Sequence, residues 1–274
     1  MIGTQVVLPV LRESNEGLFL DGGELGEVLL PKAGIDRVVE REAEVFLYHD
    51  SDGEPTASLQ MPTVMPGSFG KLDVLDVGPV GAFLDWGLPK DLLLPHRESK
   101  GEPRPGRHLV VSVFVDEKSG RIVASQRIDR ELSKEIPDLE PGQEVEALLF
   151  GKTEMGYKAV VNNSFSGLFY LNQVFQDLRY GQTVKAYVKE VRSDRKLDLS
   201  LYPLGKEGSD SLESSLMEEL KQRGGYWAID DKTPADQVYQ ELGVSKKAFK
   251  RATGSLYKQR KISFEDGGIR LLNE

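Results

Sequence analysis

The stretch 17–32, GLFLDGGELGEVLLPK, returns at 81–96 as GAFLDWGLPKDLLLPH. The offset is 64 residues, eight of sixteen positions are identical, and no gap is needed. Self-similarity of this length means a duplicated small domain. The unit is too short for half of a Rossmann fold and too rich in strand-forming residues for a helical repeat. A small five-stranded barrel suits it.

Alternation of apolar residues, broken by Gly-marked turns, places five strands in each of three units. In unit one they fall at 6–10, 18–21, 27–31, 44–48 and 56–59, and in unit two at 67–77, 80–86, 91–95, 109–115 and 121–126. Unit three has strands at 145–150, 157–161 and 167–171, a fourth opening at 181–184, and a fifth at 197–201. Three tandem barrels of OB type follow. At about 60 residues each, such units lie near the size at which a domain folds alone, so they are expected to lean on one another.

The pattern changes after a linker at 203–210. Asp210 and Glu213 read as the start of a helix carrying Leu212, Leu216 and Leu220, stopped by Gly224 and Gly225. Thr233 and Pro234 open a second helix that buries Val238 and Leu242 and ends at Gly243. Ser245 caps a third, 246–259, with Phe249, Ala252 and Leu256 on one face. Strands at 262–264 and 269–272 close a hairpin. Helix, helix, turn, helix, hairpin is the order of a winged helix-turn-helix. The fold class is therefore mainly β with a C-terminal α+β domain: 1–62, 63–136 and 137–204 are barrels, and 205–274 is the winged helix.

Charge is uneven. The net charge is −9, and residues 1–62 alone carry 4 basic and 12 acidic side chains. Unit one is thus the least suited to a phosphate backbone and the best suited to a protein contact. With no cysteine, and three scattered histidines (His49, His96, His108), neither disulfides nor a zinc site is expected, and no cofactor is implied. No apolar run is long enough to span a membrane and no secretory signal is visible, so the expected location is the cytoplasm.

Several residues carry a resemblance. Gly81-Ala82-Phe83-Leu84-Asp85, the Leu-rich third strand, Pro105-Gly106 before the fourth and Ala124-Ser125 at the end are similar to the S1 RNA-binding motif. So are Gly167-Leu168-Phe169-Tyr170-Leu171-Asn172 and the ending Asp198-Leu199-Ser200-Leu201. Three S1-like barrels followed by a winged helix resemble the conserved virulence factor B family of bacterial RNA-binding regulators, over nearly the whole chain. The resemblance puts Tyr170 where the motif usually has histidine. Leu94 (with His96 two residues on) and Leu30 stand at that position in units two and one, and Lys158 stands at the position of Phe83.

Single-stranded RNA offers base faces that stack on aromatic rings and phosphates that attract Lys and Arg. Alternation turns Ala82, Leu84 and Trp86 one way and Phe83 and Asp85 the other. If the first set is core, Phe83 faces outward, to stack on a base or pack on a neighbouring barrel. Packing is the expectation for Phe19. Tyr170, Lys158 and His96 complete the candidate barrel residues. Arg97, Lys100, Arg104 and Arg107 lie on a Pro/Gly-rich loop and read as a solvated loop. The segment 245–261 holds seven basic residues, Lys246, Lys247, Lys250, Arg251, Lys258, Arg260 and Lys261, and no acid. Such a face could grip RNA phosphates or enter a DNA groove. The helix lacks Asn, and its Gln259 lies at the end, so base-specific DNA readout has little support.

No catalytic constellation or phosphate-binding glycine loop stands out. The sequence therefore points to a monomeric, non-catalytic regulator that binds single-stranded RNA and acts on gene expression after transcription. Two other readings stay open: a winged-helix transcription regulator on duplex DNA, and a scaffold on the ribosome or RNA polymerase that uses acidic unit one.

Overall fold

The computed structural model describes residues 1–174, 177–201, 203, 206–242 and 244–272, with the backbone alone at 172, 206–211, 236, 239 and 240. The chain forms two compact units, 1–132 and 133–274.

The first unit contains two closed barrels. Barrel 1 runs β1 (Gln5–Glu13), β2 (Gly17–Asp21), β3 (Glu27–Pro31), β4 (Glu42–His49) and β5 (Pro55–Ser58), in the order β1-β2-β3-β5-β4. Barrel 2 repeats this with β6 (Phe69–Gly78), β7 (Gly81–Asp85), β8 (Leu92–Pro95), β9 (His108–Val115) and β10 (Ile122–Ser125), followed by one helical turn, α1 (Ile128–Glu131). Only the third and fifth strands pair in parallel, at Leu29–Thr56 and Leu93–Val123. The period-2 reading holds: Ala82, Leu84 and Trp86 are buried, Asp85 is exposed and Phe83 is half-buried.

The two barrels share a core. Phe46 and Tyr48 of β4 belong to the apolar cluster of barrel 2, and the Phe46 ring meets Trp86 edge-on with centroids 5.9 Å apart. The Trp86 indole N–H donates to the Lys90 carbonyl at 2.6 Å, so its one polar atom is satisfied. The expected mutual support is thus a shared aromatic contact.

In the second unit, barrel 3 comprises β11 (Glu144–Lys152), β12 (Gly156–Val161), β13 (Phe165–Tyr170), β14 (Thr183–Val191) and β15 (Leu197–Ser200), in the same cyclic order. The winged helix has α2 (Lys206–Gln222), β16 (Tyr226–Trp227), α3 (Ala235–Leu242), α4 (Lys246–Lys258), β17 (Ile262–Glu265) and β18 (Gly268–Leu271). Its sheet order is β16-β18-β17. The sequence misses β16, which is two residues long and has no alternation to read.

Two helix starts differ from expectation. α2 begins at Lys206, not Asp210, so most of the expected linker is helical. Lys206 and Glu207 are good helix formers, and Gly208 lowers the propensity without stopping the helix. Thr233 turns its hydroxyl back, accepting from the Asp230 N–H at 2.8 Å and donating to Asp230 Oδ1 at 3.1 Å. Gly224 and Gly225 end α2 at φ +74° and +89°, as expected. The expected stop at Gly243 lies outside the described residues.

All three barrels carry a bulge at the same place on the first strand, before Arg12, Asp76 and Gly151. A bulge sharpens the bend that closes a small barrel, and it changes which side chains face outward. After it, Arg12 lies opposite Phe19, Asp76 opposite Phe83, and Gly151 opposite Lys158. These three cross-strand pairs give each barrel a different face.

Candidate nucleic-acid interface

The face of barrel 1 is filled by its own side chain. The Arg12 guanidinium lies 3.6 Å from the centre of the Phe19 ring and also pairs with Glu27 at 2.5 Å. A cation over a ring face takes the place that a base would occupy. The packing expected for Phe19 is therefore supplied by Arg12 of the same barrel, not by a neighbouring one.

On barrel 2, Phe83 has carboxylates around it. Asp76 is its cross-strand neighbour, and Asp73 faces Asp85 two positions on. Partial burial, then the nearby Asp85 and Asp76, hold the Asp91 carboxyl above its ordinary range. Summed over 63–136 the charge balances, which hid this local acidity. His96 is exposed, with Nε2 3.1 Å from the Gly78 carbonyl oxygen. In the loop that follows, Arg97 pairs with Asp116 at 2.8 Å and Lys100 with Asp129 at 3.4 Å, while Arg104 lies 3.9 Å from Glu102. Surface pairs of this kind contribute little stability, but they offset three of the four cations named on the loop; Arg107 is exposed with no carboxylate within 4 Å among the described residues.

Barrel 3 is different. Lys158 and Tyr170 both face outward, with Lys158 opposite Leu168 and Tyr170 opposite Gly156. Lys158 Nζ lies 5.0 Å from the centre of the Phe150 ring. Arg192, which the sequence reading missed, donates from Nη1 to the Tyr170 hydroxyl at 3.4 Å. Its guanidinium also lies 3.2 Å from Asp194 and 3.7 Å from the buried Asp198. Tyr170 and Arg192 are thus fixed beside each other, a ring edge against a planar cation.

The register corrects one equivalence. Gly17, Gly81 and Gly156 face Pro31, Pro95 and Tyr170 respectively. The residue in barrel 3 that matches Leu30 and Leu94 is therefore Phe169, and all three are fully buried core residues. Tyr170 corresponds to Pro31 and Pro95, which explains why neither of the first two units offers a ring there.

In the winged helix, Ser245 caps α4 by accepting from the Ala248 N–H at 3.1 Å, and Phe249, Ala252, Thr253 and Leu256 turn inward. The opposite side carries the cations. Lys247, Lys250, Arg251, Lys258, Arg260 and Lys261 are exposed, and Lys246 is half-buried with Nζ 3.2 Å from the Lys232 carbonyl oxygen. Of the seven, only Lys250 comes within 4 Å of a carboxylate among the described residues, at 3.8 Å from Asp231. Arg260 adopts φ +59° at the end of the helix, where glycine is the usual residue. Gln259 donates to Glu213 at 2.9 Å and to Ser255 at 3.1 Å, so its amide is occupied within the domain.

Two features of this face escaped the sequence reading. Tyr257 and Phe264 are both exposed, with ring centres 5.4 Å apart, on α4 and on the wing strand β17. Gly254 has nothing within 4 Å of where a Cβ would stand. Its helical neighbours at three and four residues are Lys250, Arg251, Tyr257 and Lys258. The signal for the aromatic pair was the unmatched Tyr257 on the basic face.

Residues 2–60 and 66–127 match the S1 domain family, and residues 214–271 match the CvfB-like winged helix domain family. Conserved virulence factor B of Staphylococcus aureus strain N315 is 27% identical over 248 residues, covering 85% of this chain and 80% of the relative. The chain thus joins S1 domains to a CvfB-like winged helix domain and is similar over most of its length to conserved virulence factor B. A second similar protein, the uncharacterized YitL of Bacillus subtilis strain 168, is 26% identical over 276 residues, covering 97% of this chain and 92% of its own. Among solved structures, a multidomain protein with nucleic acid binding domains from Streptococcus pneumoniae TIGR4 is 24% identical, covers 99% of this chain and 98% of its own, and has a TM-score of 0.45. In this chain the S1 matches fall on barrels 1 and 2, whose outward faces hold Arg12 over Phe19 and Asp76 beside Phe83.

Proposed function

We propose that the chain is a non-catalytic regulator that binds single-stranded RNA through barrel 3 and the α4 face, and acts on gene expression after transcription as a cytoplasmic monomer. The observation that carries this reading is the α4 face, where exposed cations flank an exposed aromatic pair and all but one lack a carboxylate partner among the described residues. Barrel 3 adds Lys158, Tyr170 and Arg192, the same pairing of ring and cation. Cations hold phosphates and rings hold unpaired bases, which is the chemistry of single-strand binding. Separate weak faces on one chain raise each other's effective concentration.

Catalysis is left out of the proposal; three carboxylates at these faces are paired with cations, Asp194 and Asp198 with Arg192, and Asp231 with Lys250. No helix among the described residues is long and apolar enough to cross a membrane. Barrel 1, with its face filled and an acidic surface, fits a protein contact better than RNA.

Fluorescence anisotropy with a labelled unstructured RNA tests the reading. Tyr170→Ala is expected to weaken binding about fivefold to a hundredfold, the worth of one stacked base at 1–3 kcal/mol. Unchanged affinity removes barrel 3 from the interface. Duplex DNA of equal length should compete poorly; if it competes better than RNA, the winged helix is a DNA reader and this proposal fails.

A further inference from the structure

The first strand of barrel 1 presents an apolar row to solvent. Val7, Pro9 and Leu11 alternate along the outward side of β1, and all three are exposed, Val7 at 55% and Leu11 at 50%. Beside the row, on β4, Glu44 lies opposite Val7 and Glu42 opposite Pro9. Both carboxylates are exposed and have no cation within 4 Å among the described residues; Glu44 accepts from the Gln5 amide at 2.8 Å.

The other barrels place charge at these positions. Counted back from the shared bulge, Val7 and Pro9 correspond to Lys71 and Asp73 in barrel 2 and to Glu146 and Leu148 in barrel 3. Lys71 and Asp73 are exposed, Glu146 lies opposite Lys185, and Leu148 is half-buried. A closed barrel of this plan therefore does not need aliphatic side chains on this face. An exposed apolar row bordered by polar groups marks a surface that another molecule covers.

Charge and backbone narrow the occupant. Carboxylates without cations repel phosphate, so an RNA strand and an anionic lipid surface are both poor occupants. A cationic protein segment with apolar side chains matches both rows. β2 pairs with β1 only from Val10 onward, which leaves one edge of β1 open over residues 5–9. The Val10 N–H donates to the Arg41 carbonyl, just before β4, at 2.8 Å. By alternation the Pro9 nitrogen, which bears no hydrogen, faces the open edge, and an added strand would lack that bond. A helix laid on the face needs no such bond. Its side chains at i and i+4, about 6 Å apart along the axis, match the roughly 7 Å between alternate residues of a strand.

We propose that the β1–β4 face of barrel 1 docks a basic amphipathic helix of another protein, its apolar stripe on Val7, Pro9 and Leu11 and its Lys and Arg side chains over Glu42 and Glu44. The chain's own α4 is basic but keeps its apolar side buried, so a second copy offers no such stripe. This docking rests on the reading of barrel 1 as a protein contact and is independent of RNA binding by barrel 3 and α4.

The probe is a fluorescein-labelled peptide of about 18 residues, long enough to be helical in water, with Leu along one stripe and Lys elsewhere. Titrated with the full chain, its anisotropy should report a dissociation constant of about a hundred micromolar or tighter, weakening as salt rises. Val7→Ser with Leu11→Ser should weaken binding about tenfold through lost apolar contact. Glu42→Gln with Glu44→Gln should weaken it about fivefold, as two exposed ion pairs allow. The glutamine pair keeps shape and size, so it holds the test open if the serines disturb β1.

No binding, equal binding of a peptide with Ser in place of Leu, or binding indifferent to both double variants overturns the proposal. Sedimentation supplies the other check: a dimer that grows with chain concentration and is lost in Val7→Ser with Leu11→Ser means that a second copy covers the row, and overturns it too. RNA affinity should be unchanged in both double variants, so failure of this docking and failure of the RNA-binding reading are read separately.

Discussion

With Lys247, Arg251, Lys258 and Lys261 all changed to glutamine, the chain is expected to bind single-stranded RNA about a hundredfold more weakly at 0.15 M salt. The four are exposed and have no carboxylate partner among the described residues, so nothing inside the protein competes for them. Each phosphate contact on a single strand adds about 0.7 to the slope of log affinity against log salt. Four lost contacts lower that slope by about 2.8, and extrapolating to 0.15 M gives a factor of roughly two hundred at most. A salt titration by anisotropy measures both numbers. Lys250→Gln should cost less than any of the four, because Asp231 already lies 3.8 Å from that ammonium. An unchanged slope in the quadruple variant means that the backbone of the RNA never meets this helix.

Gly254 sharpens the expectation. A glycine inside a helix costs up to about 1 kcal/mol relative to alanine, and no packing around Gly254 requires one. Alanine there should raise the stability of the winged helix. Leucine should leave the fold intact and weaken RNA binding, since it stands among Lys250, Arg251, Tyr257 and Lys258 where a phosphate would approach. This separates a surface shaped for close approach from one that is merely charged.

The barrels were legible because their signal is periodic. Alternation over five residues was enough to place Leu84 in the core and Asp85 outside, and the repeat of Gly-x-Phe-Leu-Asp tied two units to one plan. The site was less legible because it depends on which residues meet across strands. Arg12 over Phe19 and Asp76 beside Phe83 arise from one bulge, and a bulge leaves no fixed mark in the sequence. The sequence equates Tyr170 with Leu30 and Leu94 for a related reason: matching letters along the third strand cannot show a one-residue offset, whereas pairing to Gly156 can. Arg192 was invisible, lying 22 residues from the ring that it touches. The charge of 245–261 was plain, but Phe264 joins it only after the wing folds back.

The repeated glycine leads to the last expected result: Gly81→Ala should destabilise the first unit by about 3–5 kcal/mol, at the upper end of what single substitutions do. A Cβ at Gly81 would stand 2.1 Å from the Leu94 carbonyl oxygen and 2.9 Å from Pro95 Cα, both backbone atoms of the paired strand. The same collision recurs at Gly17 with Leu30 and at Gly156 with Phe169. No rotamer relieves it, so β7 must move away from β8 in a barrel that has no free edge to absorb the shift. Gly106 is the control, because its φ is +75° but nothing lies within 4 Å of a Cβ. Alanine there should cost only the roughly 1–2 kcal/mol of a left-handed backbone. The chain has two tryptophans, Trp86 in barrel 2 and Trp227 in the winged helix. With Trp227→Phe as background, urea denaturation followed by Trp86 fluorescence reports the first unit alone. If Gly81→Ala and Gly106→Ala lower the midpoint equally, the glycine of the repeat serves only its backbone angle, and the close approach of the two strands places no demand on the sequence.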